Sequence, residues 1–313
     1  MEYNIEYKIK ILIKSQFLLI NILFLFIRIL KKRNIALCTI GKNENKYIRE
    51  FIEHYKNYGV DKIFLYDNND FNGENFSDIL SDYIKSSLVQ IINFKGMKRP
   101  QIKSYKDCYK KNYKYYNWLI FFDIDEFIYL KNFQNIKDFL NQKKFNKCQR
   151  IQLNWIFHTD NNLLYYENKS LAKRFPIREK KARGQKKGGW PGIKSGIKSI
   201  IRGNINISVI DVHIISPELI SCDGFGNIQK IENIVTNVSD FYYYYIDHYY
   251  CKSTEEFIKK VLRSDGCHEL TDKLKYLKLE VYFGLNEITK EKIDFIEKET
   301  KLNLSKYRKY IKN

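Results

Sequence analysis

The chain has 313 residues, 44% of them hydrophobic and 16% aromatic, with four prolines and a formal net charge of +19. That length holds one large domain or two small ones, and so apolar a composition excludes a disordered chain. The charge favours an anionic partner (nucleotide phosphate, nucleic acid or anionic membrane surface), although the abundance of Lys, Asn, Ile and Tyr is also what an AT-rich genome produces. The six cysteines, Cys38, Cys108, Cys148, Cys222, Cys251 and Cys267, form no CxxC pair and no small-scaffold spacing. Reduced thiols in a cytosolic protein are therefore expected.

Residues 9–30 (IKILIKSQFLLINILFLFIRIL) are the one strongly apolar segment outside the expected core; within them Phe17 to Ile27 is interrupted only by Asn21, with Lys8, Lys10 and Lys14 before it and Arg28, Lys31, Lys32 and Arg33 after it. The uninterrupted run is short for a full span of about 20 residues. It reads as a signal anchor or as a helix lying in the membrane interface, with a soluble core helix as the plain alternative.

From Asn34 strands and helices alternate. Residues 35–40 (IALCTI) read as a buried strand, followed by a helix with Tyr47, Ile48, Phe51, Ile52, Tyr55 and Tyr58 at helical spacing and Gly59 as its stop. A strand over 62–66 runs into the turn formers Asp67-Asn68-Asn69-Asp70; a helix over 75–86, a strand over 88–94 and a helix over about 101–116 follow. Trp118-Leu119-Ile120-Phe121-Phe122 then runs into Asp123-Ile124-Asp125-Glu126. In an extended strand end Asp123 and Asp125 point the same way, and two such carboxylates at the carboxyl end of a parallel strand call for a divalent cation, Mn2+ or Mg2+. An Asp-x-Asp arises roughly once by chance in a chain this long, so the apolar strand before it carries the argument. The alternation predicts a parallel sheet with crossover helices. With no GxGxxG, and with Trp190 where a P-loop after Gly184 to Gly189 requires Lys, dehydrogenase and P-loop readings fall away.

The series Ala36-Leu37-Cys38-Thr39-Ile40-x-Lys42-Asn43-Glu44, Tyr66-Asp67-Asn68-Asn69, Trp118-x-x-Phe121-x-Asp123-x-Asp125-Glu126-Phe127, Asn154-Trp155-x-Phe157, Lys198-Ser199-Ile200, His213 and His248-Tyr249-Tyr250-x-Lys252-Ser253 resembles glycosyltransferase family 92 and the family 2-like group. The resemblance covers residues 34 to 265. It implies an α/β, GT-A (Rossmann-like) fold with a mostly parallel sheet and flanking helices, a nucleotide-sugar donor and a DxD-bound metal. It also implies that Thr39 and Glu44 sit near the nucleoside, Asp67 and Asn68 near the base or ribose, and Lys198 against the departing nucleotide. Asp67 as an Asx-turn and Glu44 as a helix-start charge are the plain alternatives. Asp123 and Asp125 are then the metal carboxylates. His213, after an expected strand over 205–212, is the candidate third ligand with His248 as competitor, since imidazole suits Mn2+ better than Mg2+.

The segment from Lys169 to Arg202 carries twelve Lys or Arg against a single acid, Glu179. It suits closure over a diphosphate or contact with anionic lipid, although most such charge is simply solvated. Asp160 is the first candidate for the base that deprotonates the acceptor, with Asp223 and Glu126 behind it. Ser253-Thr254-Glu255-Glu256 reads as a capping box, and helices over 272–283 and 289–298 follow. The expected division is a membrane helix over 1–33, a catalytic domain over 34–250 and a helical extension over 251–313. The functional expectation is an inverting, metal-dependent glycosyltransferase acting on a glycan or glycolipid, membrane-associated, its catalytic domain in the cytoplasm and without a nucleic-acid partner. A basic nucleic-acid-binding protein and an inactive membrane-attached scaffold of the same fold are the competing classes.

Overall fold

The computed structural model describes residues 15–16, 35–179, 194–213, 215–229, 235–237 and 242–311. The expected membrane helix, except residues 15 and 16, and residues 180–193 of the basic segment lie outside them. Among the described residues no helix is long and apolar enough to cross a membrane.

Four strands build the first half of the sheet: β1 (Ile35–Gly41), β2 (Lys62–Asp67), β3 (Val89–Asn93) and β4 (Trp118–Phe121). Their order is β3-β2-β1-β4, and every pairing is parallel. Their residues are mostly apolar because helices or loops cover both faces, as a parallel sheet demands. On one face lies α1 (Asn45–Asn57), which buries Tyr47, Ile48, Phe51, Ile52 and Tyr55, and the positive φ of Gly59 (81°) ends it. On the other lies α2 (Pro100–Asn112), with Tyr105, Cys108 and Tyr109 packed under Phe121 and Ala36. The helix expected over 75–86 is split into two short turns, Phe76–Ile79 and Ser81–Lys85, at Leu80.

Beyond β4 the sheet is mixed. The order continues β7 (Lys194–Arg202), β6 (Arg150–Phe157), β11 (Tyr244–His248) and β5 (Glu126–Leu130). β7 runs antiparallel to both β4 and β6, and β5 antiparallel to β11, whereas β11 and β6 are parallel. Short strands β8 (Ser221–Cys222), β9 (Ile228–Gln229) and β10 (Val235–Asn237) pair at the margins. The α/β class is thus as expected, but the parallel pairing expected of most of the sheet is concentrated in its first four strands. No strand forms over residues 205–212: the chain there is irregular and lays Ile205, Ile207 and Ile210 onto the second core cluster.

At the C-terminal end, α3 (Thr254–Val261) opens on the expected capping box, Ser253 with Glu256. Two longer helices, α4 (Asp272–Leu285) and α5 (Lys290–Thr300), join the same large core as α1 through Leu279, Tyr282, Ile293 and Ile296. One expectation is overturned outright. Cys148 and Cys222 form a disulfide across 74 residues, leaving Cys38, Cys108, Cys251 and Cys267 free. The two half-cystines were hidden in sequence because β6 and β8 come together only in the folded sheet, β8 pairing with the edge of β6 opposite β7.

Candidate active site

β1 pairs with β2 on one side and β4 on the other, and both connections leave from that junction, so the carboxyl ends of β1 and β4 flank a topological switch point. Ligands of open α/β sheets bind in the crevice such a switch point leaves. A cleft of about 750 Å3 opens there, lined by Gly41, Asn68, Gln101, Asp123 and Asp125 on the sheet side. Lys260, Arg263 and Lys278 line it on the side of α3 and α4. Gly41 is required at the end of β1: a Cβ there would stand 2.4 Å from Ile124 Cδ1, the residue between the two aspartates.

Asp123 and Asp125 do not continue the strand. β4 stops at Phe121 and the chain turns, with the Glu126 amide donating to the Asp123 carbonyl (3.1 Å), before re-entering the sheet at β5. The turn sends the two carboxylates to different partners, which corrects the expectation that they project together. Asp123 accepts from Gln101 Nε2 (2.7 Å), Tyr105 Oη (3.1 Å) and Lys198 Nζ (2.8 Å). Asp125 lies 3.1 Å from Lys260 Nζ and 3.4 Å from His248 Nε2. Burial, the largest single influence, pushes both carboxyls up, but their partners together outweigh it: Lys198 with His213 holds Asp123 low, and Lys260 with His248 and Lys252 holds Asp125 well below the usual carboxylate range. Both are therefore anionic at neutral pH. Burial drives Glu126 the other way, well above its ordinary value, with Lys198 opposing.

Each site residue expected from sequence finds a definite place. Glu44 lines the cleft and is paired with Lys252 (3.2 Å) and Arg263 (2.7 Å). Asn68 also lines it, its amide bonded to the Phe94 and Met97 carbonyls (2.7 and 3.0 Å). Asp67 turns away and forms an Asx-turn, accepting from the Asn69 amide at 3.0 Å. Thr39 is wholly buried in β1 and its hydroxyl meets no partner among the described residues. Lys198 is wholly buried too: it lies behind Asp123, 3.6 Å from Glu126, and holds the aspartate rather than lining the cleft.

His213 lines the cleft, but its Nδ1 faces the Ile197 carbonyl (3.1 Å), and its ring packs edge-on against one side of Trp155. His248 packs against the same Trp155 and is the imidazole that reaches a DxD carboxylate. Both histidines thus line the cleft, and His248 is the one placed on Asp125. Burial lowers the pKa of His248 despite Asp125, so the ring is neutral, and its buried Nδ1 has no partner among the described residues.

The expected base, Asp160, is not in the cleft. It is buried against the C-terminal helices, where Lys292 Nζ (2.7 Å), Tyr282 Oη (2.6 Å) and the Asn162 amide (2.9 Å) take up its oxygens. Asp223 is spent on the turn it closes, accepting from the Phe225 and Asn227 amides, and Glu126 is wholly buried. Sequence reasoning passed over Lys260 and Arg263, which follow the capping box by one and two helical turns, and Asp211, two residues before the histidine it singled out.

The cleft combines two carboxylates with cationic side chains. Among the described residues no three His, Cys, Asp or Glu side chains form a metal cage. Asp125 with a neutral His248 nevertheless fits a Mn2+-type ion that keeps further positions for ligand oxygens and water, and the unpaired Nδ1 marks His248 as incompletely satisfied.

A model of glycosyltransferase family 92 matches residues 33–266. Family 92 proteins of Ricinus communis, Oryza sativa subsp. japonica and Arabidopsis thaliana are 25%, 27% and 29% identical over 112, 111 and 102 residues. Those stretches cover 34%, 35% and 31% of this chain and only 19%, 18% and 17% of the relatives. Among solved structures, S. aureus TarS 1-349 with UDP-GlcNAc aligns at TM-score 0.36 and 13% identity, over 80% of this chain and 71% of that one. The mannosyltransferase PcManGT of Pyrobaculum calidifontis, solved with GDP-Man and Mn2+, aligns at 0.30 and 7%, over 38% and 35%.

Proposed function

The chain belongs to glycosyltransferase family 92, and from that premise we propose that it moves a sugar from a nucleotide-sugar donor to the hydroxyl of a glycan or glycolipid, with a divalent cation and inversion at the anomeric carbon. The observation that carries this reading is the cleft at the β1/β4 switch point, where Asp125 and His248 stand beside Lys260 and Arg263. In this reading the nucleoside lies over the ends of β1 and β2, near Ile40 and Asn68, and the diphosphate turns toward the DxD loop, a placement supported by the position of the cleft at the switch point.

Asp125 and His248 would hold the cation, which when bound neutralises charge on the leaving diphosphate. The remaining work belongs to the chain's own groups. Lys260 and Arg263 add fixed positive charge where the diphosphate gathers negative charge, and such charge needs no reorganisation during the reaction. Gln101, Tyr105 and Lys198 hold Asp123 rigidly from behind, so the DxD loop keeps one geometry. Membrane attachment through residues 9–30, which would favour a lipid-linked acceptor, belongs to the same proposal.

The test is sugar release from a panel of UDP- and GDP-sugars with Mn2+. Turnover is expected on at least one donor, falling at least 100-fold on chelation and in Asp125→Asn. Unchanged turnover in Asp125→Asn removes the metal role. Silence on every donor together with salt-sensitive RNA binding replaces the reading with a nucleic-acid one.

A further inference from the structure

An inverting transfer needs a carboxylate that reaches the acceptor and is free to take a proton, and the three acids singled out in sequence are all engaged elsewhere. Among the described residues five acidic side chains line the cleft: Glu44, Asp123, Asp125, Asp211 and Asp265. Four are occupied. Glu44 is paired with Lys252 and Arg263. Asp123 accepts from three side chains, and Asp125 faces Lys260 and His248. Asp265 closes its own loop, accepting from the Cys267 amide (2.8 Å) and the His268 amide (2.5 Å).

Asp211 differs from all of these. It is exposed to the cleft, and among the described residues its carboxylate has no basic side chain within ion-pair distance. Its one hydrogen bond among the described residues is from the amide of the next residue, Val212, at 2.5 Å, which leaves the other oxygen open. The backbone beneath it is fixed. Ser199 Oγ donates to the His213 carbonyl (2.9 Å), and the His213 ring bonds the Ile197 carbonyl, so the segment is pinned to β7 on both sides of Lys198. A base on a segment pinned to β7, with one oxygen free, is the arrangement proton abstraction requires.

Resting on the glycosyltransferase reading above, we propose that Asp211 is the catalytic base. The acceptor oxygen forms a bond to the anomeric carbon as the bond from that carbon to the phosphate oxygen breaks. The electron pair of the broken bond leaves on the nucleoside diphosphate, and the proton of the acceptor hydroxyl passes to the Asp211 carboxylate. Water is the simplest acceptor, so donor hydrolysis reports the same step.

The experiment compares the full chain with Asp211→Asn, Asp211→Glu and Asp265→Asn, using the UDP- and GDP-sugar panel with Mn2+ and water as acceptor, and measures nucleotide binding by calorimetry. General-base catalysis contributes about 100- to 10,000-fold. Asp211→Asn is expected to lose at least 100-fold in turnover with nucleotide affinity within threefold of wild type. Asp211→Glu should recover at least tenfold over the Asn variant, and Asp265→Asn should stay within tenfold of wild type. Turnover in Asp211→Asn within fivefold of wild type overturns the assignment, as does loss of nucleotide binding in that variant. A wild-type chain that releases sugar from no donor overturns the parent reading instead, so the two failures are distinguishable.

Discussion

Five histidines share one chain, and their surroundings give them different duties. His54 is the plainest case. It lies on α1 between Tyr58 and Phe127, with ring centroids 4.9 and 5.1 Å away, and bonds the Ile128 carbonyl through Nε2 at 3.0 Å. Burial pulls its pKa from 6.5 down to about 4, with the carbonyl opposing. Between those two values the unfolded chain takes a proton that the folded chain refuses, so stability is lost as pH falls from 6.5 toward 4. Replacing His54 by Gln keeps a donor for the carbonyl and removes this dependence. The difference between wild type and His54→Gln in urea unfolding should therefore shift by up to about 3 kcal/mol from pH 7 to pH 4, and a pH-independent difference rejects the account. At this scale the sequence was a partial guide. Asp123 and Asp125 were legible because an apolar strand precedes them, and Glu44 and Asn68 because they follow strand ends. Asp211 was not legible, because it lies in irregular chain where no periodicity tells an exposed carboxylate from a buried one.

At the level of elements, the strands of the parallel half, α1 and the C-terminal helices follow hydrophobic periodicity closely, since each buries one face or two against a single neighbour layer. The antiparallel insertion of β7 between β4 and β6 does not, because its pairing partners, from Asn154 with Ile197 to Trp118 with Arg202, are far apart in the chain and leave no local trace. That long-range assembly also explains why Asp160 was misread. Its place after β6 suggested a site, but α4 and α5 fold back over it and supply Tyr282, Asn286 and Lys292. Removing one partner of a buried ion pair costs about 3–5 kcal/mol, whereas removing both charges costs much less. Lys292→Met should thus destabilise the chain by that amount, and adding Asp160→Asn should recover more than half of the loss, because Asn can still accept from the Asn162 amide. In the same series Asp160→Asn alone should leave donor turnover within a few-fold of wild type. A loss beyond 100-fold with the fold intact would return Asp160 to the site.

For the whole molecule, the sheet and its two covering layers set the cleft, and the disulfide closes the half of the sheet that carries its far wall. The loop joined by Cys148 and Cys222 spans 74 residues and contains all of β6 and β7 and the segment bearing Asp211 and His213. Cross-linking so long a loop restrains the unfolded chain, and disulfides of this kind contribute about 2–4 kcal/mol. Disulfides persist in oxidising compartments and are kept open in the cytosol, so this bond weighs against the cytoplasmic catalytic domain that the cysteine spacing implied. Protein purified without reductant and unfolded in guanidinium should titrate four thiols, not six. Dithiothreitol should lower the urea midpoint of the wild type and leave a Cys148→Ser, Cys222→Ser double variant unmoved. Six thiols in freshly isolated protein, with no change on adding reductant, would restore the reduced state that the cysteine spacing implied, and this half of the sheet would then rest on its strand pairings, β6 with β7, β8 and β11 and β7 with β4.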